Sequence, residues 1–156
     1  MAWVTVYDLR NDDDRIRQIQ EATLNRPGFG LEPDPALFGS EEWWQAVDDG
    51  HVKATVEEGL VSAVRWGSMG DWPVWCFQSA EGSESEWTRE GDHTRYVEGI
   101  RARITTVIVR WKADSHLVRM GESAAHKMLI KVELEDTDAR SVRAAPGPFG
   151  TKPQGV

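Results

Sequence analysis

Hydrophobic and polar positions follow two different periods along this chain, and the change falls near Gly50. Before it the spacing is mostly helical. Ile16, Ile19 and Thr23 recur on one face behind Asn11-Asp12-Asp13-Asp14, whose acids suit a helix N-terminus, so a helix is predicted from about 12 to 24. Ser40 is a good N-cap for a second helix; Glu41 and Glu42 occupy its first turn, Trp43, Trp44 and Val47 form its apolar stripe, and Gly50 ends it. Residues 25–39 hold three prolines and three glycines and are read as an extended arm with Phe29, Leu31, Leu37 and Phe38 as anchors. Ahead of all this, Ala2 to Leu9 alternates as a short strand.

After Gly50 the period becomes that of strands. His51 to Trp66 reads as one long strand, or a hairpin-like kink at Gly59. Further strands follow at Trp72 to Gln78, Glu86 to Arg89, Ile100 to Trp111 and Met128 to Leu134. Gly67 to Asp71 is a turn, and residues 113–126 form a polar excursion with one helical turn around Leu117 to Met120. The expected organisation is an N-terminal region of strand, helices and arm over 1–50, packed on a β-barrel domain over 51–135, with a disordered tail over 136–156. The fold class is mainly β with N-terminal helices (α+β): a small five-stranded antiparallel barrel plus two short helices.

The succession over 51–135 resembles the oligonucleotide/oligosaccharide-binding (OB) barrel. A long kinked first strand precedes the glycine-bearing loop Trp66-Gly-Ser-Met-Gly-Asp-Trp72; a central hairpin, the connector Tyr96-Val97-Glu98-Gly99, a strong fourth strand and a long loop follow. An SH3-like barrel is the competing pattern. The OB resemblance implies binding on the second and third strands and on the loops joining strands one to two and four to five. Trp66, Trp72, Trp75 and Trp87 fall there, in a chain with eight Trp but two Tyr and four Phe. Stacking on two or three exposed indoles would contribute about 1–3 kcal/mol per base. Parity places Trp66, Trp75 and Trp111 in a core, and Trp43 and Trp44 as residues that dock their helix; Trp72 and Trp87 are left for recognition.

The net charge of −8 is uneven: residues 1–59 carry 13 acids and 5 bases, residues 60–112 carry 7 of each, and residues 113–156 carry 6 of each. Phosphate binding relies on Lys and Arg, so this distribution disfavours a nucleic-acid partner. An acidic N-terminal region suits a basic protein partner instead. The longest nearly uninterrupted apolar run, Ile104 to Val109, is far below a membrane span, so no membrane association is expected. Met1 to Tyr7 lacks the pattern of a secretory signal, and a cytoplasmic location is expected.

Catalytic and cofactor motifs are not found. His51, His93, His116 and His126 form no paired metal-ligand spacing, and the aspartate run lacks the glycine and distal glutamate of a calcium loop. No nucleophile elbow or phosphate loop occurs, and lone Cys76 reads as a small core residue. The expectation is therefore no catalytic residue, no metal and no cofactor. The densest polar segment holds Arg89, Glu90, Asp92, His93, Arg95 and Tyr96, read either as a salt-bridged turn or as a site. Candidate ligand-binding residues are thus Trp72, Trp87, Arg89, Asp92, His93, Arg95 and Tyr96. The leading expectation is a noncatalytic binding or interaction domain that uses a Trp-rich surface for a protein, peptide or small ligand. Alternatives are a single-stranded nucleic-acid-binding OB-like protein and an acidic inhibitor or immunity-type protein for a basic partner.

Overall fold

In a computed structural model of the chain, residues 1–67, 69, 70, 72–121 and 123–137 are described. The fold is mainly β, with short helices, as the periodicities predict. Its strands are β1 (Trp3–Asp8), β2 (Ala54–Trp66), β3 (Pro73–Ser79), β4 (Glu84–Thr88), β5 (Arg101–Arg110) and β6 (Ala125–Glu135). They form one six-stranded sheet in the order β1-β6-β5-β2-β3-β4. The count rises from five to six because the N-terminal strand pairs with β6 and so joins the sheet. The helices are α1 (Asp13–Asn25), α2 (Glu41–Asp48) and the single turn α3 (His116–Arg119), with 3-10 turns at Leu9–Asn11 and His93–Arg95. Of the expected tail, only Asp136 and Thr137 belong to the described residues; the rest lies outside them.

The chain divides into two compact units. One comprises residues 1–7, 56–104 and the stretch from Lys131 onward. Its core holds Trp75, Phe77 and Tyr96, all at most 2% exposed, with Val61, Ala102, Ile104, Val132 and Leu134. Trp75 packs edge-on against Phe77 and tilted against Tyr96, at ring distances of 6.0 and 5.4 Å. The antiparallel register sets Val64, Trp75 and Trp87 in line across β2, β3 and β4. A bulge between Val61 and Ala63 shifts that register by one residue and lets Ser62 donate to the Cys76 carbonyl at 3.2 Å. At Gly59 there is no room for a side chain: a Cβ there would stand 2.0 Å from the Gln78 carbonyl oxygen. Hence β2 runs as one continuous strand through the predicted kink, with glycine required by space. Cys76 is buried, and burial pushes its thiol pKa up, which keeps it an inert packing residue.

The second unit comprises residues 8–55 and 105–130. Asp12 caps α1 by accepting from the Arg15 N–H, and Ser40 caps α2 by accepting from the Trp43 N–H. The arm is held along its length. Leu31 bridges to Trp111, the Glu32 N–H donates to the Arg110 carbonyl, and Lys112 Nζ reaches the carbonyls of Thr23 and Arg26. Leu31 and Phe38 are buried as expected, while Phe29 is half-exposed beneath the Arg26 guanidinium and beside His116.

Candidate functional site

Acidic side chains dominate the surface of the 8–55 segment, with eleven acids against five bases. Three of those bases are engaged locally. Arg10 pairs with Asp48 at 2.5 Å, Arg15 with Asp12 at 3.9 Å, and Arg17 with Asp14. Helix α2 and its C-cap hold four of the eleven acids, one of them the Arg10 partner Asp48. Glu41 and Glu42 occupy its first turn, are exposed, and form no ion pair among the described residues. Asp48 and Asp49 stand at its other end, where no basic residue offsets them within the helix.

The two ends differ physically. Carboxylates at a helix N-terminus are favoured by the backbone dipole, whereas at the C-terminus they face the partial negative charge of unpaired carbonyls. Asp48 is compensated by Arg10 and Asp49 by the side-chain amide of Gln45, at 3.0 Å. Arg10 also lies over the Trp44 ring, 4.3 Å from its centroid, so one guanidinium spans the outer side of α2. The inner side is apolar. Trp43 is 3% exposed and packs against Phe38 at 4.7 Å and Trp44 at 4.7 Å, which makes Trp43 the docking residue of the helix. Beside it lies a groove of about 240 Å³ lined by the apolar Leu31, Phe38 and Val52 and by both acids, Glu32 and Asp34, and bases, Lys53 and Arg110. The carboxylates at the two ends of α2 suit a basic protein surface, and the groove beside them offers a mixed apolar and polar lining.

The other unit carries the aromatic and polar residues singled out from sequence. Trp72 is the exposed indole expected there, at 58%, and its N–H donates to Thr88 Oγ1 at 2.8 Å. Trp87 is half-buried and donates to Ser85 Oγ at 2.7 Å. Trp75 is wholly buried, but Trp66 and Trp111 are only half-buried. Trp66 lies 5.7 Å from the Arg89 guanidinium, and Trp111 stacks on His126, whose pKa burial lowers.

The segment from Arg89 to Tyr96 is a packed corner. Arg89 is 2% exposed; it donates to the Arg65 carbonyl at 3.2 Å, its Nε has no partner among the described residues, and burial lowers its pKa. Tyr96 is fully buried, its hydroxyl donates to the Glu90 carbonyl at 2.7 Å, and burial raises its pKa. Asp92 is exposed and caps the 3-10 turn, accepting from the Thr94 N–H and hydroxyl; those two bonds hold its pKa below the ordinary carboxylate value. Arg95 meets Asp92 at 4.0 Å and Asp136 at 3.5 Å, and His93 is half-buried beside them. Asp92, His93 and Arg95 thus gather on one turn, while Arg89 and Tyr96 point inward from it.

Sequence reasoning did not anticipate the pairing of Arg103 with Glu133 at 2.8 and 3.0 Å, nor the stacking of Arg103 on Trp3 at 4.5 Å. Those contacts join residues distant in sequence and leave no local mark in it. No group of three His, Cys, Asp or Glu side chains suited to a metal occurs among the described residues. No helix there is long and apolar enough to cross a membrane. A family model described as "Immunity protein RhsI2" matches residues 3–134, which takes in every strand and helix except the last residue of β6. No curated protein matches the chain.

Proposed function

Since the chain belongs to the RhsI2 immunity protein family, we propose that it is a noncatalytic inhibitor that neutralises a toxic protein by binding it through the acidic surface around α2. The observation that carries this reading is the set of carboxylates on one short helix and its C-cap, Glu41, Glu42, Asp48 and Asp49, the last of which opposes the helix dipole with no ion pair among the described residues. Stability alone would favour Lys or Arg at that end, and departures from local stability mark surfaces selected for another task.

The toxin is accordingly expected to present a basic patch. Opposed potentials accelerate encounter and fix register, while the groove lined by Leu31, Phe38 and Val52 receives an apolar side chain at the centre of the interface. Inhibition then requires no chemistry from the immunity protein, only occlusion of the toxin surface. The test is co-expression with the toxin in a sensitive host, together with co-purification. Restored growth and a stable complex are expected; unprotected growth with no complex would overturn the proposal.

A further inference from the structure

The free edge of β4 offers a second, more specific contact. Among the described residues this strand ends the sheet, pairing with β3 alone. In an antiparallel pair, opposite residues alternate between those that exchange hydrogen bonds with the partner strand and those whose backbone groups point away. Arg89 N–H donates to the Pro73 carbonyl and Ser79 N–H to the Ser83 carbonyl. By that alternation the register makes Trp75/Trp87 and Phe77/Ser85 the bonded pairs. The backbone N–H and C=O groups of Glu84, Glu86 and Thr88 therefore face outward, with no further backbone partner among the described residues.

The same three residues are fixed by their side chains. Glu84 accepts from Ser62 Oγ at 2.7 Å, Glu86 pairs with Arg65 at 2.7 Å, and Thr88 accepts from the Trp72 indole at 2.8 Å. Each bond reaches over β3 to β2 or to the turn before β3. They hold the edge extended and lessen the ordering cost of adding a strand. Glu84 and Glu86 lie on one face of β4, and the half-buried Trp87 lies on the other.

From this arrangement we propose that β4 takes an extended segment of the partner protein as an added strand, with Lys or Arg at alternate positions opposite Glu84 and Glu86 and apolar residues between them beside Trp87. Charge selects the occupant. A second copy of this chain would set Glu84 and Glu86 against the same glutamates, and like charges opposed across strands are destabilising. An alternating basic and apolar segment gains main-chain bonds and opposite-charge pairs together. The proposal deepens the reading of a basic protein partner but concerns a different surface from α2.

The probe is a short synthetic peptide alternating lysine and valine, followed by amide NMR and Trp fluorescence. In the free protein the amides of Glu84, Glu86 and Thr88 should exchange rapidly while those of Ser85 and Trp87 are protected; the peptide should slow the first set and shift the Trp87 emission. Glu86→Pro removes an outward N–H that β3 does not use, so it should preserve the fold and weaken the peptide about tenfold. Glu84→Lys with Glu86→Lys should transfer preference to a glutamate–valine peptide. Outward amides already protected in the free protein, or peptide affinity unchanged in Glu86→Pro, would mean that the charged edge only guards against aggregation and would overturn the proposal. Neutralising Glu41, Glu42, Asp48 and Asp49 should leave peptide binding intact, which separates failure here from failure at the α2 surface.

Discussion

Asp49→Lys should make the protein more stable and a poorer inhibitor at once. The residue is the C-cap of α2; its N–H bonds to the Gln45 carbonyl and the Gly50 N–H to that of Val47, so its side chain stands at the negative end of the helix dipole. Removing a carboxylate from that position and supplying an ammonium group each contribute about 0.3–1 kcal/mol. Against them stands the loss of the exposed bond from Gln45, worth about 0.5 kcal/mol. The balance is a gain of about 0.1–1.5 kcal/mol, centred near about 0.8 kcal/mol, or roughly 2–3 °C in Tm for a chain of this size. The same change places positive charge where the toxin is expected to be basic, at a cost of about 1 kcal/mol and roughly fivefold in affinity. Thermal unfolding followed by circular dichroism, and titration with the toxin at low and moderate salt, read the two effects. A lowered Tm would refute the dipole argument, and unchanged affinity at low salt would refute the placement of Asp49 in the interface.

Tyr96→Phe should destabilise by about 1–2 kcal/mol, because the buried Glu90 carbonyl bond is lost without a replacement; chemical denaturation measures it. Gly91→Ala should unfold at clearly lower temperature, since a Cβ would stand 1.9 Å from the Val6 carbonyl oxygen and φ is +75°. Glu133 has its pKa lowered chiefly by the Arg103 hydrogen bond, so the stability it confers is present above its unfolded pKa and is lost as pH falls through the lower folded value. Glu133→Gln should therefore flatten the acid side of the Tm–pH curve below about pH 4.3, and an unaltered slope would show that the pair contributes nothing. A short single-stranded oligonucleotide should give no salt-dependent Trp quenching, the readout that would favour the nucleic-acid alternative.

Local chemistry was legible in the sequence wherever one residue decides a boundary. The acidic run Asn11 to Asp14 and Ser40 mark the starts of α1 and α2 in the sequence, and Asp12 and Ser40 are the caps. Strand periodicity located β5 and β6 to within a few residues, and the polar excursion between them contains the helical turn α3. Parity alone was weaker for the indoles. It found Trp75 in the core but could not separate it from Trp66, because that depends on Arg89 turning inward to lie over the Trp66 ring. A buried arginine runs against composition, and nothing near Arg89 in sequence announces it. Membership of the sheet by β1 was equally hidden, since strand pairing joins the two ends of the chain and leaves no local mark. The acidic surface was visible as a charge imbalance, but its concentration on both ends of α2, with Arg10 returning from another element to offset Asp48, required the fold.

The central claim, inhibition through the carboxylates of α2, is tested most directly by calorimetric titration of the toxin into the wild-type protein and the variant Glu41→Gln, Glu42→Gln, Asp48→Asn, Asp49→Asn. Four lost charge contacts at about 0.2–1 kcal/mol each predict an affinity roughly four- to several-hundredfold weaker, with reduced salt dependence and an intact melting transition. Equal affinity and equal salt dependence in a folded variant would contradict the account.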